Sequence, residues 1–115
     1  MLKKIYRLTK KKDFERVSKK GKTAFSQILL IKYMKNNLAS SRFGLIVSNK
    51  ISKKATLRNL IKRRISEILR LSLDKIKKGY DIMIIVSPKI FDNKGKVLKY
   101  SEIEKNLIQT LQKIV

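Results

Sequence analysis

Leu57, Leu60, Ile61, Ile65 and Ile68 recur at spacings of three and four within the segment KISKKATLRNLIKRRISEILR, Lys50 to Arg70. That period belongs to a helix with one buried stripe, so the rest of the chain must supply an apolar surface for it to dock on. The opposite face is cationic. At 100° per residue, Arg58, Asn59, Lys62, Arg63, Ser66 and Arg70 fall within one arc of roughly 140°. Lys50, Lys53 and Lys54 precede it, and Glu67 is the segment's only acid. A solvated helix surface would interleave acids for i,i+4 pairing. This one does not, and the ridge reads as a surface for a polyanion.

The whole chain carries the same bias. Thirty Lys and Arg against eight Asp and Glu give +22, more than solubility requires. A polyphosphate partner would release counterions at each contact, so affinity should fall steeply with salt. With 115 residues, 43% of them hydrophobic, the chain is expected to form a single domain over residues 1–115 that buries about two-thirds of its unfolded surface. Cys is absent, which fits a reducing compartment and points to the cytoplasm. The basic N-terminus lacks the apolar run of a signal peptide, and Ile82 to Val86, the longest apolar run, is too short to span a bilayer. No membrane role is expected.

Along the chain, Thr9 is placed to cap a first helix of about ten residues carrying Phe14 and Val17, with Gly21 ending it. Thr23 to Met34 reads as a strand, and Arg42 to Ser48 as its antiparallel partner across the loop KNNLASS. After a basic connector, Lys50 to Lys54, Thr56 is placed to cap a long helix that runs to Lys77 or Lys78 and stops at Gly79. Tyr80 to Ser87 is a buried strand ended by Pro88. Ser101 and Glu104 form a capping box for a last helix bearing Ile103, Leu107, Ile108, Leu111 and Ile114. The expected architecture is α+β, a two-layer α-β-β-α-β-α order with helices packed on a small mixed sheet.

No catalytic constellation accompanies the charge. His, the side chain poised to titrate near neutral pH, is absent. The acids are scattered; Asp13/Glu15 and Glu102/Glu104 are near neighbours, and helix N-terminal charge explains both pairs better than a metal site. KKGKT at Lys19 to Thr23 lacks the upstream glycine of a phosphate-binding loop. A stand-alone ribonuclease is therefore disfavoured. A ribosomal or ribosome-assembly RNA-binding protein without enzymatic role shares this size and charge and stands as an alternative.

In order, RLTKKKDFERV with a basic turn at Gly21, FGLIVSNKISKKA, RNLIKRRISEILR and YDIMIIVSPK resemble the protein component of bacterial ribonuclease P over nearly the whole chain. Arg58, Asn59, Lys62 and Arg63 match that family's signature helix. The resemblance implies a fold of the ribosomal protein S5 domain 2-like type. It also implies the non-catalytic subunit of a ribonucleoprotein endoribonuclease, whose RNA subunit, with bound Mg²⁺, removes the 5′ leader of precursor tRNA. The protein is expected to be monomeric outside the holoenzyme. On this resemblance Lys50, Lys53, Lys54, Arg58, Asn59, Lys62, Arg63 and Arg70 contact the catalytic RNA. Phe14, Ser18, Leu30 and Lys32 line a cleft between the first helix and the sheet that holds the leader. The chain departs from the family at Leu60 and Ser66, where arginine is usual, and at Ser18, where a second aromatic is common. Leu60 lies on the apolar side; Ser66 removes a phosphate contact for which Arg70 can compensate.

Several residues keep two readings at the level of sequence. Phe14 suits core packing as well as base stacking, and Lys10 to Lys12 and Lys19 to Lys22 suit diffuse steering as well as defined contacts. Alternation points Tyr33 away from the cleft. Arg64 falls inside the apolar arc, and snorkelling at the helix edge is the only account of it.

Overall fold

The computed structural model describes residues 2–114. After a one-turn 3₁₀ helix at Lys4–Tyr6 the elements are α1 (Lys11–Lys20), β1 (Lys22–Phe25), β2 (Leu29–Lys35), β3 (Arg42–Ile46), α2 (Ala55–Leu71), β4 (Tyr80–Val86) and α3 (Tyr100–Leu111). The strands form one mixed sheet in the order β1-β2-β4-β3. The α+β expectation of helices on a small mixed sheet holds, with one strand more than the sequence pattern suggested.

Two pairings differ from expectation. The run from Thr23 to Met34 is a hairpin rather than one strand, because the Ser26 side chain builds a turn. Its Oγ accepts from the N–H groups of Ile28 and Leu29, each at 3.2 Å, and Ser26 N–H donates to the Leu29 carbonyl at 2.9 Å. Nor does β3 pair with β2. Apart from Ile85, β4 is buried throughout, as its continuous apolar run requires, and it lies between them. It runs antiparallel to β2 and parallel to β3, with α2 as the crossover that parallel strands need.

The helix ends also differ. No side-chain hydrogen bond caps any of the three helices; their N-caps are Lys10, Lys54 and Lys99 rather than Thr9, Thr56 and Ser101. Ser101 lies inside the first turn of α3, so the capping box does not form. The second helix stops at Leu71 instead of Lys77 or Lys78. Buried Ser72 leaves helical geometry, a 3₁₀ turn follows at Leu73–Lys75, and Gly79 takes φ +85° to enter β4.

Alternation along β4 divides the apolar residues between two faces. Ile82, Ile84 and Val86 meet Leu29 and Ile31 of β2, Ile61, Ile65, Ile68 and Leu69 of α2, and Ile103, Leu107 and Leu111 of α3. Full burial of each such side chain contributes about 1.5–3 kcal/mol, and this is the surface on which the stripe of α2 docks. Tyr33 also points to this face, edge-on to Tyr80 with ring centroids 6.0 Å apart. On the other face, Met83, Leu8 and Val17 are buried with Phe14, Met34, Ile46 and Ile85 around them, and α1 covers this smaller cluster.

A buried carboxylate ties α1 to the sheet. Asp81 has no exposed side-chain surface. Arg42 donates to it twice, through Nε at 2.8 Å and Nη2 at 2.7 Å; Asn36 adds a third bond at 3.0 Å, and Arg16 of α1 a fourth. Burial pushes the Asp81 carboxyl up. The hydrogen bonds from Arg42 and Asn36 and the charges of Arg42 and Arg16 outweigh it, and the net displacement is downward. None of the described helices is long and apolar enough to cross a membrane.

Candidate nucleic-acid interface

The docked stripe turns the basic arc of α2 outward. Asn59, Lys62 and Arg63 are exposed, and with Thr56, Ser66 and Glu67 they line a shallow groove along the helix. Lys50, Lys53 and Lys54 are exposed in the connector that enters the helix. Among the described residues neither these lysines nor Lys62 and Arg63 form an ion pair with an acid of the chain.

Two arginines of the arc are used differently. Arg58 is half-buried and its Nη1 donates to the Ser52 carbonyl at 2.7 Å, so it braces the connector against the helix. Arg70 pairs with Glu67 one turn earlier, Nε to Oε2 at 3.1 Å, and this hydrogen bond holds the exposed Glu67 carboxyl below its ordinary range. Arg64 gains a definite role: its Nη1 donates to the Leu98 carbonyl and pins the segment before α3.

The four residues expected in the cleft do share one face. Strand register places Thr23, Lys32, Met83 and Gly44 in one row across the sheet. Along this row lies α1, with Phe14 over Gly44, Val17 against Met83, and the Ser18 carbonyl accepting from Lys32 Nζ at 3.3 Å. Leu30 and Lys32 are half-buried, Ser18 exposed. Phe14 packs against the small cluster and stays partly accessible.

Gly44 makes that seat possible, since a methyl there would lie 2.5 Å from Phe14 Cζ. Gly44→Ala is expected to fold, to lose about 1–3 kcal/mol, and to release the ring. A thermal melt and the ring-to-Val17 NOEs check this; a stable variant with those NOEs intact would contradict it.

Sequence reasoning missed Phe25. Had the segment been one straight strand, position 25 would face away from positions 30 and 32. The turn at Ser26 reverses this parity and sets Phe25 opposite Leu30. Reasoning from the sequence also missed Asp81 and its partners, because Arg16 lies 65 positions away and Arg42 39.

Among the described residues no three Asp, Glu, His or Cys side chains group to hold an ion, and Asp81 is committed to its arginines and Asn36. The arrangement can bind and orient a polyanion on two surfaces, the ridge of α2 and the α1 face of the sheet, joined by the connector that follows β3.

The ribonuclease P family model matches residues 2–115. The ribonuclease P protein component of Fusobacterium nucleatum is 44% identical over 100 residues, covering 87% of this chain and 88% of the relative. That of Alkaliphilus oremlandii is 34% identical, covering 98% and 94%. The solved ribonuclease P protein from Thermotoga maritima superposes with a TM-score of 0.87 at 31% identity, covering 95% of this chain and 97% of that one. By its matched length, its relatives and its fold, the chain belongs to the family of ribonuclease P protein components.

Proposed function

We propose that this component of the ribonuclease P endoribonuclease divides its binding between two surfaces. The connector and ridge, through Lys50, Lys53, Lys54, Asn59, Lys62 and Arg63, hold the catalytic RNA; Arg58 positions the connector, and Arg70 contributes at the end of the ridge. The α1 face of the sheet holds the unpaired 5′ leader of precursor tRNA. There Phe14 offers a ring for a base, Leu30 an apolar floor, and Lys32 a cation beside Ser18.

The observation that carries this reading is the set of cations on a packed helix and its braced connector that pair with no acid among the described residues. Such a surface gives each phosphate contact its full counterion release. The Mg²⁺ that the cleavage requires is held mainly by the RNA subunit, and the protein's part is to position RNA and leader. Self-repulsion at +22 keeps the free protein monomeric, and a chain without Cys suits the reducing cytoplasm.

The test is 5′ processing of a labelled precursor tRNA at low Mg²⁺ by a bacterial ribonuclease P RNA, with and without this protein. Stimulated cleavage at the mature 5′ end, with none from the protein alone, is the expected result. Tight RNA binding without stimulation would overturn the reading.

A further inference from the structure

We propose that Phe25 is a second base-stacking platform, for leader nucleotides farther from the cleavage site than those that meet Phe14. This rests on the leader reading above and extends it along the sheet.

Residues directly opposite on neighbouring strands share a face. Phe25 is opposite Leu30, Leu30 opposite Ile85, and Ile85 opposite Ile46. These four side chains form an apolar row from the β1 edge to the β3 edge, about 14 Å at the usual strand spacing. It lies beside the row of Thr23, Lys32, Met83 and Gly44 that α1 follows. The helix leaves the second row accessible: Leu30, Ile85 and Ile46 are partly exposed, and Phe25 is 67% exposed.

A lone exposed Phe is ordinary on a protein surface. Phe25 differs because it ends an apolar row in register, diagonal to Lys32 and two residues from Thr23 on the same strand face. An unpaired base needs an accessible aromatic face, and its phosphate needs a nearby cation. Neither row contains an acid. On a chain of +22 this makes single-stranded RNA the occupant rather than a protein segment.

Direction follows from the topology. The chain leaves β3 into the connector Lys50 to Lys54 and then α2, the surface assigned to the catalytic RNA. The β3 end of the row, where Phe14 sits over Gly44, is therefore nearer the cleavage site. Phe25, on the opposite edge strand, meets the leader later.

The experiment uses the reconstituted holoenzyme and precursor tRNAs whose leaders grow one nucleotide at a time, with mature tRNA as reference, under conditions where cleavage is slow. Phe25→Ala should keep the affinity that the first leader nucleotides provide and lose roughly 5- to 100-fold of that provided by the later ones. Phe25→Trp should retain both. A melt shows that each variant is folded, as the side chain's exposure leads one to expect. If Phe25→Ala keeps the full affinity at every length, or Phe25→Trp loses it as Phe25→Ala does, the stacking role is wrong. Equal loss at all lengths would overturn the assigned order. A wild-type holoenzyme whose affinity no leader improves would bring down the leader reading itself.

Discussion

Asp81→Asn is expected to cost about 3 kcal/mol of folding stability, the lower end of the range for breaking a buried ion pair. For a chain of this length that lowers the Tm by roughly 10 °C. The substitution keeps the shape but replaces one carboxylate oxygen with an NH₂ group facing the donors of Arg42 and Arg16. The lower end applies because these arginines keep part of their surface in water, with side-chain exposures of 23% and 37%. The pH dependence has a definite sign. The folded carboxyl titrates below its ordinary value, so its stabilisation is complete above about pH 5 and is lost as pH falls through the folded pKa. The gap in Tm between wild type and Asp81→Asn should be constant from about pH 5 to 7 and narrow below about pH 4. A gap unchanged at low pH would show that the carboxylate's charge is not what holds α1 to the sheet.

The second large effect separates the two binding surfaces. Lys62→Ala with Arg63→Ala removes two exposed cations that pair with no acid among the described residues. Each charge-assisted hydrogen bond is worth about 1.5–3 kcal/mol, so affinity for the catalytic RNA should fall roughly 100-fold or more. The salt dependence should flatten by somewhat less than one unit of slope for each phosphate that is no longer neutralised. The preference for leader-bearing over mature tRNA should survive in whatever complex still forms. Phe14→Leu should do the reverse, since leucine keeps most of the packing against Val17 and Met83 but offers no ring to a base. Filter binding with the RNA subunit, and a comparison of precursor with mature tRNA, read the two effects separately. If both variants moved both assays equally, the division would be wrong. Arg58→Ala should also weaken RNA binding, through the connector: its removal frees the Ser52 carbonyl and loosens Lys53 and Lys54.

The candidate site was readable to the extent that it is local. The ridge of α2 needs only the helical period, and its cations could be assigned to one face from spacing alone. Their individual roles could not. Arg58, Arg64 and Arg70 look alike in the sequence, yet one braces a loop, one pins the segment before α3, and one pairs with Glu67. On the cleft side, alternation correctly put Leu30 and Lys32 together and Tyr33 opposite. It missed Phe25 because a turn lies between them. The helix starts lie one or two residues from Thr9, Thr56 and Ser101, at Lys10, Lys54 and Lys99, and no side chain caps them.

By itself the sequence determined the amphipathic helix, the buried β4 run and the cationic surface, all of which follow from residue type and short periods, while its ordered motifs carried the resemblance to the family. Tertiary structure decided that β4 separates β2 from β3, that Asp81 gathers arginines from α1 and β3, and that Phe25 joins the row of Leu30, Ile85 and Ile46. The physical reason is that strand pairing is a choice among distant partners of similar hydrophobicity. Side-chain facing then depends on register, and a shift of one residue in the pairing moves every side chain of the strand to the other face.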